Sequence, residues 1–320
     1  MSAGDGNKAV IAALLANLGI AVTKLVAFAL TRSSSMLAEA IHSFADSGNQ
    51  VLLLVGGRRA KREATELHQF GYGRERYVYS FVVSIVLFSV GGLFALYEGW
   101  HKVHDPHAIE HWHWVPIAVL LMSIALEGMS FRTAINESNT LRGKASWPQF
   151  IRGARSPELP VILLEDFAAL TGLVLALVGV VLTLATGNGV WDGLGSMAIG
   201  ALLVVVAFVL AVEMKSLLIG ESATREAQRR IEAAITGAPG VERLIHIKTL
   251  HVGPEEVLVA AKFGVAPTDV AADVAAAIDA AERAVRAAEP TAVHIYLEPD
   301  IYRTTYTPDD RPAVPDAPGH

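Results

Sequence analysis

No cysteine occurs anywhere in the 320 residues. That absence excludes disulfides, thiolate metal sites and cysteine nucleophiles, and it leaves His, Asp and Glu as the strong metal ligands. Charge is scarce too: Asp, Glu, Lys and Arg make up 18% of the chain, against about a quarter in a soluble domain. The thinning follows from long apolar runs of roughly 20 residues, the length that crosses a bilayer as a helix, and the mean hydropathy is +0.40. The chain therefore reads as an integral membrane protein. It also lacks a basic excess; 26 basic against 32 acidic residues give a net charge of −6, which argues against binding nucleic acid. The first apolar run has no small-residue cleavage signal after a short hydrophobic core, so it is read as a retained span.

Six spans are expected, over about residues 8–30, 34–55, 77–100, 114–135, 159–184 and 191–212. Every span contains Gly or Ala, which lets helix backbones approach closely. Arg58, Arg59, Lys61, Arg62, Arg74 and Arg76 lie between the second and third spans, and Arg132, Arg142, Lys144, Arg152 and Arg155 between the fourth and fifth. The opposite side offers only Arg32 and Lys102. Positive residues mark the cytoplasmic side, so both termini are expected inside. After Gly220 the composition becomes that of a soluble domain, with the order helix, strand, strand, helix, strand: 224–236, 244–250, 257–263, 268–288 and 292–297. This predicts a small two-layer α+β unit. The expected organisation is a transport domain over 1–216, a cytoplasmic α+β domain over 217–303 and a disordered tail over 304–320, rich in Pro, Asp and Ala.

Within the second apolar run stands Glu39-Ala40-Ile41-His42-Ser43-Phe44-Ala45-Asp46. On a helix His42 and Asp46 are one turn apart and point the same way, with Glu39 below them and Asn49 above. An imidazole and a carboxylate at that spacing can hold one divalent metal ion together. Ionisable groups at membrane depth are expensive and mark partners, aqueous cavities or transport paths. The fifth span carries a second acidic feature, Glu165-Asp166. Neighbouring residues on a helix point about 100° apart, so one of these carboxylates is expected to meet His42 and Asp46 while the other binds elsewhere or handles protons. A site of His42, Asp46, Glu165 and Asp166 suits tetrahedral zinc and also tolerates manganese or iron.

Other polar residues have plainer readings. Lys24 is expected to snorkel toward the outer headgroups. Glu127, in the fourth span, is a candidate for pairing with a neighbouring helix or for proton transfer. Asp192 sits at the outer start of the sixth span, where an N-cap role serves as well as any. His101, His104, His107, His111 and His113 suggest a solvated outer loop, with Trp112 and Trp114 as interface residues.

The residues Ser33-Ser34-Ser35-Met36-Leu37-Ala38-Glu39-Ala40-Ile41-His42-Ser43-Phe44-Ala45-Asp46 and His68-Gln69-Phe70-Gly71-Tyr72-Gly73-Arg74 resemble the cation diffusion facilitators, which exchange metal for protons. Tyr97-Glu98-Gly99 and Leu218-Ile219-Gly220-Glu221-Ser222-Ala223 extend the resemblance, which covers almost everything from Lys8 to about Pro299. It implies six transmembrane helices, a ferredoxin-like cytoplasmic domain, and a homodimer whose protomers each carry a midmembrane site between the second and fifth spans. His42 and Asp46 match the second-span ligands. Many relatives place a His or Asp four residues before a second Asp in the fifth span, but here Ile162 and Val161 stand four before Asp166 and Glu165. The contiguous Glu165-Asp166 resembles the branch that includes mitochondrial zinc-transporter-like members. In the soluble domain Ile245, Ala261 and Tyr296 fall at usual His positions, so a regulatory metal site there is expected to be absent or rebuilt.

The expectation is a multi-pass carrier in the plasma (inner) membrane that exports a divalent cation in exchange for protons, with Glu39, Asn49 and Glu127 as accessory candidates. Zinc is the first choice and manganese or iron(II) the alternative. No organic cofactor, nucleic-acid partner or enzymatic activity is expected. A membrane-bound metal sensor and a metallohydrolase are the readings from other classes, and no nucleophile motif supports the latter.

Overall fold

Two residues separate the first helix from the second, and Ser33 opens the second. The chain turns at Arg32, whose φ is +56°, between α1 (Ala3–Thr31) and α2 (Ser34–Ala60). The Ser33 hydroxyl caps α2 by accepting from Met36 N at 3.4 Å. This is a computed structural model, and it describes residues 3–106 and 112–303. The chain divides into two units, Met1–Ile219 and Gly220–His320.

The first unit is helical. After α2 come α3 (Glu75–Val86), a π-helical turn (Leu87–Leu93) and α4 (Phe94–His104), which run on as one helix. Then follow α5 (Trp114–Arg142), α6 (Trp147–Gly153), α7 (Glu158–Thr186) and α8 (Val190–Ile219). Among the described residues four helices are long and apolar enough to cross a membrane: Glu75–His104, Trp114–Thr140, Glu158–Thr186 and Val190–Ile219. The chain is thus a multi-pass integral membrane protein. The short helix α6 lies in a stretch where none was expected; Ser146 and Gln149 form a reciprocal capping box around Pro148.

Met36, Tyr77, Leu87, Leu173, Leu203 and Met214 are core residues of this unit. Val22, Val26, Val205 and Phe208 face outward, as lipid-facing residues do. Small residues set the closest helix contact. A Cβ on Gly99 would lie 2.6 Å from Gly193 O, and one on Gly200 would lie 2.8 Å from Gly92 O. These clashes are with backbone, so side-chain rotation cannot relieve them. Gly99→Ala should therefore destabilise the protein by about 1–3 kcal/mol, the usual range for overpacking, read as a lower thermal-unfolding midpoint in detergent.

In the second unit Thr224 caps α9 (Arg225–Thr236), its hydroxyl accepting from Ala227 N at 3.2 Å. Strands β1 (Arg243–Gly253) and β2 (Glu256–Gly264) form an antiparallel hairpin, and β3 (Ala292–Asp300) returns parallel to β2 after α10 (Ala271–Ala288). The sheet order is β1-β2-β3. Val257, Val259, Ala261 and Phe263 alternate into one core with Ile231 and Ile235 of α9 and Val285 of α10. The helix-strand order matches the expectation, although α10 begins three residues later than expected because Asp273, not Asp269, accepts from the Val270 N–H at its start. The tail beyond residue 303 lies outside the described residues.

Candidate metal site

α2 carries a polar stripe through an apolar unit. Glu39, His42 and Asn49 are buried on it, with Asp46 half-buried. His42 Nε2 stands 3.5 Å from Asp46 Oδ2, one helical turn apart as the spacing requires. Neither ring nitrogen of His42 has a hydrogen-bond partner among the described residues, and neither does Asp46 Oδ1. Buried polar atoms are ordinarily paired, so donor atoms are left over where the motif puts them.

The opposing wall is α7. Its Glu165 is buried and accepts from Asn49 Nδ2 at 2.7 Å, and the Glu165 and Asp46 carboxyls are within hydrogen-bonding reach of each other. The two helices run antiparallel at this contact, so Gly172 stands opposite Glu39 as Glu165 stands opposite Asp46. A Cβ on Gly172 would come within 2.8 Å of Glu39 Oε1. The third wall is the π-helical turn, where a Cβ on Gly91 would lie 3.8 Å from His42 Nδ1. π-turns are frequent at functional sites, and this one sets Cβ-free backbone against the imidazole.

Asp166 takes the other side of α7. It is half-buried and accepts from Ser130 Oγ of α5 at 3.0 Å. Glu127, one turn earlier on α5, is half-buried and within electrostatic reach of Lys24, Glu39, Asp46, Glu165 and Asp166. The structure therefore brings His42, Asp46, Asn49 and Glu165 to one seam and aims Asp166 elsewhere. Among the described residues no three or more His, Asp or Glu side chains form a ready-made cage: the two seam carboxyls are turned to each other and to Asn49.

Two expectations change. Lys24 does not snorkel; it is 1% exposed, and its Nζ lies 3.1 Å from Glu39 Oε2 and 2.7 Å from Ser43 Oγ. The α1–α2 hairpin explains this. Counting back from the turn, Lys24 falls level with Ile41, between Glu39 and Ser43, and too deep for its chain to reach an interface. That registry was available in the sequence. Asp192 does cap a helix, but not its own: it accepts from Ser34 N at 2.6 Å and Ser35 N at 3.3 Å, at the start of α2.

The outer histidines His101 and His104 stack on Tyr97 and Trp100 of their own helix, while His107 and His111 lie outside the described residues. In the second unit Ala261 is in the core and Tyr296 is exposed; the buried His251 has its Nδ1 3.2 Å from Gly253 O.

Comparison with known proteins adds three findings. A family model described as the cation efflux transmembrane domain matches residues 10–219. The chain is 34% identical over 236 residues to "Proton-coupled zinc antiporter SLC30A9, mitochondrial" of Xenopus laevis, covering 73% of this chain and 42% of that protein. It is 28% identical over 257 residues to "Metal tolerance protein C4" of Arabidopsis thaliana, covering 77% and 54%. The chain thus spans about half or less of the length of these relatives. A solved structure of a MamM C-terminal domain variant matches at 24% identity over 24% of this chain and 93% of its own, with a TM-score of 0.23. The plasma-membrane expectation finds no support in the antiporter relatives, whose names place them in mitochondria.

Proposed function

This chain belongs to the cation efflux family, and from that premise we propose that it carries a divalent cation, zinc first, across its membrane in exchange for protons. The observation that supports this most is His42, buried with neither ring nitrogen hydrogen-bonded among the described residues, its Nε2 3.5 Å from Asp46 Oδ2 and level with Glu165 on α7. We take His42, Asp46 and Glu165 as the protein donors. Asp166 and Glu127 are placed on the α5 side of α7, where they serve proton exchange.

The chemistry of the donors gives the coupling. Metal needs a neutral imidazole and ionised carboxylates, so every proton taken up removes a donor, and every metal ion bound releases protons. Asp46 and Glu165 face each other across the seam, and without metal the repulsion of like charges there is avoided when one carboxyl holds a proton. Loading the cation displaces that proton. The exchange cycle therefore turns on this seam, opened to each side in turn, with Asp166 and Glu127 as the route by which protons reach and leave it. α1 and α2 complete six spans in this reading; the polar stripe is what lowers the hydropathy of α2. Both termini are placed in the cytoplasm, and two copies form a homodimer.

A second reading is manganese or iron(II) transport by the same fold. It is favoured by the oxygen-rich donor set, one imidazole among carboxylates.

The test is metal uptake into proteoliposomes with an imposed pH gradient, comparing zinc, manganese and iron(II). Zinc uptake should fall about tenfold or more when a protonophore collapses the gradient, as expected when each metal ion displaces at least one proton. Unchanged uptake would remove the proton coupling. Binding without passage of any metal would move a sensor or hydrolase reading forward.

A further inference from the structure

Lys24 has no place in the exchange cycle, yet it is a lysine buried at the level of the site. We infer that Lys24 determines metal selectivity by withholding Glu39 from the metal, a reading that rests on the carrier function proposed above. Its Nζ holds Glu39 Oε2 at 3.1 Å and Ser43 Oγ at 2.7 Å. Both acceptors belong to α2, one on each side of His42 in the sequence. Glu39 is 0% exposed, and its other oxygen, Oε1, has no hydrogen-bond partner among the described residues. That oxygen lies against Gly172, where only a missing side chain leaves room for it. A buried carboxylate three residues before the imidazole is thus held on one oxygen only, by a cation from a different helix.

Two consequences follow from the charges. While Lys24 is in place, the ammonium compensates Glu39, and the metal meets one imidazole and the carboxylates of Asp46 and Glu165. When it is removed, Glu39 becomes an uncompensated buried charge, which is strongly unfavourable and is relieved either by a proton or, when metal is loaded, by the divalent cation in its place. The donor set would then gain a carboxylate. Oxygen-rich sets of higher coordination suit manganese, whereas a small set containing imidazole suits zinc. Lys24 acts here as a positioning residue, because it touches Glu39 and not the cargo. Arginine at the same place keeps the charge; methionine keeps the length and loses it.

The experiment compares initial rates of zinc and manganese uptake under one pH gradient for wild type, K24M, K24R and K24M/E39Q. K24M should lower the zinc-to-manganese ratio about tenfold, the lower end of what outer-shell partners contribute to metal affinity. K24R should stay near the wild-type ratio. The double variant should return to it, since the neutral amide that replaces Glu39 offers no additional carboxylate. If K24M fails size-exclusion chromatography in detergent, K24Q supplies an uncharged donor to the same two acceptors and should shift the ratio in the same direction. An unchanged ratio in the folded uncharged variant overturns the assignment, as does a shift that persists in K24M/E39Q. Wild-type vesicles that pass neither metal overturn the carrier reading and this inference with it, whereas wild-type flux with an unchanged variant ratio overturns the Lys24 assignment alone.

Discussion

His42→Ala and Glu165→Ala should each lower gradient-driven zinc uptake by about 100-fold or more, whereas Asp166→Ala should lower it by about tenfold at most. The scale comes from metal sites in general, where even an outer-shell partner contributes 10–100-fold to affinity; a donor that touches the cation stands at or above the top of that range. The asymmetry comes from the rotational setting of α7. Glu165 is buried against Asn49 at 2.7 Å and meets Asp46, while Asp166 is turned to Ser130 of α5 at 3.0 Å. Initial rates at matched protein content would measure it, with thermal unfolding as a check that each variant is folded. If Asp166→Ala were the more damaging of the two carboxylate variants, α7 would have to present its other face to the cation, and the seam described here would not be the binding state.

A second large effect concerns stability. Asp192→Ala should destabilise the protein by about 3–5 kcal/mol, since each buried donor left without an acceptor costs roughly 1–3 kcal/mol. Asp192 is 0% exposed. Its carboxylate accepts from Ser33 Oγ at 2.8 Å, Ser34 N at 2.6 Å, Ser35 N at 3.3 Å and Ser35 Oγ at 2.5 Å. The two backbone donors are among those that the first turn of a helix leaves without intrahelical partners, and the negative charge also faces the positive end of the α2 dipole. Alanine would leave Ser33 Oγ, Ser34 N and Ser35 N buried and unmatched, while Ser35 Oγ keeps the backbone oxygen of residue 192 at 3.1 Å. Asparagine with its oxygen at the Oδ1 position keeps Ser33 Oγ, Ser35 N and Ser35 Oγ but loses the charge and aims its amide at Ser34 N, so Asp192→Asn should recover only part of the loss. Thermal unfolding of detergent-solubilised protein should show a midpoint about 10 °C lower for the alanine variant, given about 2–4 °C per kcal/mol at this size or smaller. A shift of only a degree or two would mean that these serines find other acceptors.

Much of this protein could be read along one dimension. His42 and Asp46 share a helix, so their juxtaposition follows from 3.6 residues per turn and holds whatever surrounds it. The order of the soluble elements likewise follows from local periodicity and caps, as Thr224 shows at the start of α9, with bounds that differ from the expected ones by up to three residues. Apolar run length identified the membrane class for the same reason. The small helix α6 escaped because seven residues carry too little periodicity to stand out, although its capping box was present in Ser146 and Gln149.

What the sequence by itself determined, then, is the long helices with their own polar stripes, since those depend on neighbours within a turn or two. Only the tertiary structure decided which stripes meet. Asn49 reaches Glu165 across 116 residues and Ser33 reaches Asp192 across 159; no local spacing encodes either. That Glu165 rather than Asp166 enters the seam depends on how α7 is rotated: the face that carries Glu165 sets Gly172 against Glu39 of α2 and Ile199 of α8, while Asp166 is turned to Ser130 of α5. Lys24 stands between the two cases: counting from the turn puts it level with Glu39 and Ser43, but only the packing of α1 on α2 turns its ammonium to them.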